Sequence, residues 1–79
     1  MNKIQKKLIK FINLPQISWH NYPNYIWCQY SEDYCIDIFE NGFIRRMEIR
    51  STGCEREIRL MPEEAKRILE KAFKLKNFQ

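Results

Sequence analysis

No run of about 18 apolar residues occurs in this 79-residue chain, so the sequence predicts no membrane-spanning helix. Glycine and proline are scarce, at two and three residues, which excludes linkers and low-complexity segments. The three cysteines are an odd number and make a poor disulfide framework. The basic N-terminus is not followed by an apolar stretch with a small-residue cleavage site, so no secretory signal is expected. A reducing, cytoplasmic location follows as the expectation.

Chemistry is equally sparse. Cys28, Cys35, Cys54 and His20 are four possible zinc ligands, but none forms the tight pair that a knuckle uses to bring two ligands within reach. Cys28 or Cys54 with His20 could make a nucleophile and base, yet no motif, oxyanion hole or third orienting group accompanies them. There is no glycine-rich phosphate loop. Glu32-Asp33 and Glu63-Glu64 sit where a turn and a helix start need them. The expectation is a chain without metal, cofactor or catalytic function, its cysteines serving as packing.

What the chain does have is unevenly placed. Ile17 to Cys35 holds both tryptophans, all four tyrosines and the single histidine. The net charge of +4 is segmented. Residues 1–14 carry four lysines and no acid, residues 25–44 four acids and no base, and residues 45–60 five arginines against three glutamates. Such a balance permits an acidic partner without requiring one.

Hydrophobic spacing places the elements. Over residues 2–13, Ile4, Leu8, Phe11 and Ile12 form one apolar stripe, with Lys3, Lys6, Lys7 and Lys10 opposite; Pro15 ends this helix. Strands are expected at 25–30, 34–40, 43–50 and 55–60, with turns at Ser31-Glu32-Asp33, Asn41-Gly42 and Ser51-Thr52-Gly53. Residues 62–77 form the clearest helix: Pro62 at the first position, Glu63 and Glu64 in the first turn, Lys71, Lys74 and Lys76 near the end, and Ala65, Ile68, Leu69, Ala72 and Phe73 as its stripe. The predicted fold is a single α+β domain of two layers, α-β-β-β-β-α: an antiparallel three- or four-stranded meander covered on one face by an N-terminal and a C-terminal helix.

Register decides which residues face solvent. A two-residue type I′ loop at Asn41-Gly42 pairs Ile38 with Arg45, Ile36 with Met47 and Tyr34 with Ile49. Tyr34, Ile36, Ile38, Met47, Ile49, Ile58 and Leu60 then lie under the helices, and Asp37, Phe39, Arg46, Glu48, Arg50, Glu57 and Arg59 on the open face. For the first strand, a two-residue loop buries Trp27 and sets Cys28 opposite Cys35 on the outer face. A three-residue loop buries Ile26 and Cys28 and turns Trp27 outward. Tryptophan is more often core than surface, so a buried Trp27 is expected.

The helix–strands–helix order resembles the double-stranded RNA-binding domain, a chain of similar length. That resemblance implies phosphate-gripping lysines at the start of the last helix. Met61-Pro62-Glu63-Glu64 stands there instead, so nucleic-acid binding, by basic residues and sheet aromatics, is the alternative expectation. The leading expectation is a small non-enzymatic protein-binding module, because Trp, Tyr and Arg dominate interface hot spots. In size and composition the chain is similar in general character to phage- or mobile-element-encoded inhibitors of host defence, such as anti-CRISPR proteins. A protein or ribonucleoprotein partner is expected, no membrane, and a homodimer is possible through an open sheet edge. The expected contact residues are Trp19, His20, Tyr22 and Tyr25 at the sheet entrance, with Arg46, Arg50 and Arg59 on the open face.

Overall fold

The computed structural model describes residues 1–12, 18–50 and 53–77, with the backbone alone at 50, 53–56 and 73–77. The expected roles of Pro15, Ser51-Thr52 and the side chains of Arg50, Cys54, Phe73, Lys74 and Lys76 lie outside the described residues.

Two helices cover one face of a five-stranded antiparallel meander. In chain order the elements are α1 (Lys3–Ile12), β1 (His20–Asn21), β2 (Tyr25–Gln29), β3 (Tyr34–Phe39), β4 (Ile44–Arg50), β5 (Gly53–Leu60) and α2 (Pro62–Asn77), and the strands lie side by side in that order. The two-layer α+β architecture matches the expectation. The sheet has one strand more, because His20-Asn21 pairs with Trp27 and Ile26 at the edge.

The β2–β3 and β3–β4 hairpins both use three-residue loops. Phe39 N donates to Phe43 O and Gly42 N to Phe39 O, at 2.8 and 3.0 Å, while Gly42 has φ +90°. This is a type I turn closed by a bulge with glycine in the left-handed region. Asn41 sits inside the turn and accepts the Phe43 N–H on its side-chain oxygen, at 3.0 Å. Ile38 therefore pairs with Ile44, Asp37 with Arg45, Ile36 with Arg46 and Tyr34 with Glu48, one step from the two-residue register. At the other hairpin the Ser31 hydroxyl accepts N–H bonds from Asp33 and Tyr34, and Cys28 pairs with Ile36.

Because residues directly opposite share a face, these registers sort the sheet. Ile26, Cys28, Ile36, Ile38, Ile44 and Leu60 are buried beneath the helices, where Ile12, Ala65 and Leu69 complete the core and Leu8, Ile9, Trp19, Ile58 and Ile68 pack around it. Met47 belongs to the opposite face, contrary to expectation. Cys28 and Cys35 point to opposite faces, since Cys35 lies opposite Met47 and Gln29, so a Cys28–Cys35 disulfide is excluded by geometry.

The first helix is also rotated from its expected setting. Ile12 and the polar Gln5 are buried, while Ile4 and Phe11 stay 47% and 43% exposed. Gln5 earns its place through hydrogen bonds. Asn2 N donates to Gln5 Oε1 and Gln5 N to Asn2 Oδ1, both at 2.9 Å, a reciprocal cap of the Asn-x-x-Gln kind. Gln5 Nε2 then donates to the Ile38 carbonyl at 2.9 Å, and Asn2 Nδ2 to that of Glu40 at 2.8 Å. One cap thus closes the helix and fastens it to the β3 end.

Candidate functional site

The face of the sheet away from the helices carries the site. Reading across the strands, one row runs His20, Trp27, Asp37, Arg45, Arg59. A second runs Tyr25, Phe39, extended by Phe43 after the bulge. Tyr22 joins it beyond β1, its N–H bonded to the Tyr25 carbonyl at 2.8 Å.

Six rings form one connected ladder on this surface. His20 stacks on Trp27 with centroids 4.7 Å apart, and Trp27 is 6.3 Å from Tyr22. Tyr22 stacks on Tyr25 at 5.3 Å, Tyr25 meets Phe39 at 5.2 Å, and Phe39 meets Phe43 at 5.4 Å. These are the separations at which aromatic pairs attract beyond their burial. Arginines cap the ladder: Arg45 lies over Phe39 at 4.7 Å and Tyr25 at 5.5 Å, and Arg59 over Phe43 at 4.9 Å.

An ion pair between a buried carboxylate and a half-buried guanidinium underlies the ladder. Arg45 Nε donates to Asp37 Oδ2 at 2.7 Å, and Asp37 is only 3% exposed. Burial pushes the Asp37 carboxyl above its ordinary value, with the Arg45 hydrogen bond and charge pulling it back incompletely and Glu57 adding to the rise. Arg45 is pushed above its own ordinary value because its bond to Asp37, together with the charges of Asp37 and Glu57, outweighs its burial. The pair holds the guanidinium where it lies over the Phe39 and Tyr25 rings.

The expected contact residues separate. His20, Tyr22, Tyr25 and Arg59 share the open face, the first three joined through the ring ladder at the β1–β2 side and Arg59 at the β5 edge. Trp19 does not: it is half-buried and packs against the core. Arg46 does not either. It lies opposite Ile36 and Ile58 on the helix side, 4.6 Å over the Tyr34 ring, because the three-residue loop shifts β4 by one residue. Its charge opposes the rise that burial gives the Tyr30 phenol. The Arg50 side chain is outside the described residues. Trp27, Phe39, Phe43 and Arg45 are the members that the expected contact set lacked. For Trp27 the signal was present, since the three-residue reading of Ser31-Glu32-Asp33 turns it outward, but tryptophan's usual burial outweighed it; Phe39 was expected on the open face, whereas Arg45 reaches it only through the one-residue shift of β4. Trp27 is in fact half-buried, on the open face.

Among the described residues no group of three or more His, Cys, Asp or Glu side chains could hold a metal ion. No described helix is long and apolar enough to cross a membrane. No family model matches the chain, and neither a curated protein nor a solved structure matches it.

Proposed function

We propose that this chain is a small protein-binding module whose contact surface is the open sheet face, with Tyr22, His20, Trp27 and Arg59 making the outermost contacts. The observation that carries this reading is the ring ladder: six aromatic or imidazole rings and two arginines on a face that no described element covers. Rings held by their neighbours lose little rotamer freedom on binding, which makes them good anchors. Charge favours protein over nucleic acid. The ionic residues of the described open face are Asp37, Glu57, Arg45 and Arg59, two of each sign, whereas the lysines Lys3, Lys6, Lys7 and Lys10 stand on α1 in the other layer. A phosphate chain laid on the ladder would meet few unpaired cations there. A module of this kind, acting in a reducing compartment, would need no chemistry of its own to inhibit a larger complex; occupying a surface suffices.

The test compares capture of binding proteins from the source cell by the wild-type chain, by Tyr22→Ala/Arg59→Ala, and by a variant with the four α1 lysines changed to glutamine. A partner retained by the wild type and the lysine variant but lost by the open-face variant supports the reading, with a loss of about 2 kcal/mol or more in the purified complex as expected of hot spots. Salt-sensitive binding of single-stranded RNA or DNA that the open-face variant abolishes would transfer the ladder to base stacking instead.

A further inference from the structure

The two edges of the sheet are treated very differently. β1 is two residues long and is followed by Pro23, and short edges and prolines are the usual protections against strand addition. β5 runs eight residues, GCEREIRL, without lysine or proline, and among the described residues it has a neighbour on one side alone. Its one irregularity is the bulge opposite Glu48 and Ile49, near its N-terminal end.

The pairing pattern says which backbone groups that edge presents. Phe39 bonds Phe43, so by the alternation of antiparallel ladders Asp37 and Arg45 bond one another, while Ile44 and Arg46 direct their N–H and C=O groups to β5. Their partners Leu60 and Ile58 point inward. Glu57 and Arg59 therefore direct their N–H and C=O groups outward, past the edge. The same alternation, carried across β2, sends the Tyr25 carbonyl to β1, where it accepts the Tyr22 N–H.

We infer that β5 pairs antiparallel with β5 of a second copy of this chain, about a two-fold axis at Ile58. A two-fold strand pair sets residue 58−n against 58+n. In this register Glu57 of each copy lies opposite Arg59 of the other, and both are exposed, on the open face, and of opposite sign. The same two residues carry the outward backbone groups, so they form the hydrogen-bonded pairs, four bonds in all by the antiparallel rule. Ile58, half-buried at the rim of the core, meets its own counterpart on the helix side. Neighbouring registers are disfavoured: an axis at residue 57 sets glutamate against glutamate and one at residue 59 arginine against arginine, and like charges directly opposite are destabilising. The product is a continuous ten-stranded sheet with the two ring ladders on one surface.

Charge reversal and amide exchange test it together. Analytical ultracentrifugation of the purified chain, without partner, from about 1 μM to 1 mM should show a monomer–dimer equilibrium. Glu57→Arg and Arg59→Glu should each weaken it about tenfold or more, and the double reversal should restore it. In the wild type the Glu57 and Arg59 amides should exchange slowly at high protein concentration and fast at low, while the Ile58 amide, bonded to β4, is slow at both. A chain that stays monomeric throughout overturns the inference. So does a dimer that ignores the reversals, or one in which the Glu57 and Arg59 amides exchange fast at every concentration. These readouts contain no partner protein, so they stand or fall apart from the proposed contact surface.

Discussion

At the scale of single residues, neighbours in sequence have opposite duties. Trp19 is packed against the core, whereas Tyr22, three residues on, is 51% exposed. Trp19→Ala should lower stability by about 2–3 kcal/mol, the cost of truncating a partly buried indole. Tyr22→Ala should cost less, about 1 kcal/mol, because its half-exposed ring still stacks on Tyr25. Denaturant titration of the two variants checks both, and comparable losses would remove Tyr22 from the surface. The Asp37–Arg45 pair gives a pH signature. The folded carboxyl is raised above its ordinary value, so the folded state holds the proton more tightly than the unfolded chain does. Its contribution is therefore favourable at low pH and declines as pH rises from the ordinary carboxylate value through the raised one, levelling off above it. Compared with Asp37→Asn, the wild type should lose stability over that acid window. Arg45→Met removes the opposing charge and pushes Asp37 higher still, so its penalty, about 3 kcal/mol near neutral pH for a buried carboxylate left unpaired, should shrink on acidification. A pH-independent difference between Arg45→Met and wild type would show that the pair does not bear on Asp37's ionisation.

At the scale of elements, one glycine sets the whole pattern of β4. Gly42 at φ +90° closes the bulge, and a Cβ there would stand 3.2 Å from Ile4 Cγ2 on α1. Gly42→Ala should cost about 1–2 kcal/mol from the left-handed backbone alone, and the cost should fall only slightly in an Ile4→Ala background. Thermal unfolding of the four chains of this cycle measures it; full recovery in the double variant would make the contact, not the backbone, the cause. The same hairpin shows what the sequence discloses and what it withholds. Asn41-Gly42 between two β-rich runs identifies a hairpin without ambiguity. It does not identify the loop length, because asparagine-glycine suits both the two-residue turn and the last two places of the three-residue one. Those readings differ by one residue, and one residue exchanges Met47 with Arg46 between faces. Helix α2 was legible from end to end, because its stripe, its proline and its charges all agree. Helix α1 was legible in extent but not in rotation. Periodicity weighed Ile4 and Phe11 as core, while the hydrogen bonds that draw Gln5 inward depend on a carbonyl of β3, thirty-three residues away. The site divides likewise. Tyrosine, tryptophan and arginine content pointed to a contact surface, but which of them meet was a matter of strand register and loop length.

At the scale of the whole molecule, the two layers present opposite chemistries. Four exposed lysines line α1 with the exposed Ile4 and Phe11 beside them, and Lys66 lies over the Phe11 ring at 5.0 Å. The sheet side has rings, balanced charge and the Asp37–Arg45 ion pair. If partner binding runs through the sheet, the lysines influence it only as distant charges. The expected outcome for the Lys3, Lys6, Lys7 and Lys10→Gln variant is therefore a small change in association rate, one that vanishes above roughly 0.15 M salt, where the screening length is about 8 Å. The dissociation rate should be unaffected, because it is governed by contacts on the other face. Tyr22→Ala should do the reverse, raising the dissociation rate at every salt concentration. Surface plasmon resonance of both variants across a salt series separates the layers, and a lysine variant that dissociates faster at high salt would move the contact surface from the sheet to the helices.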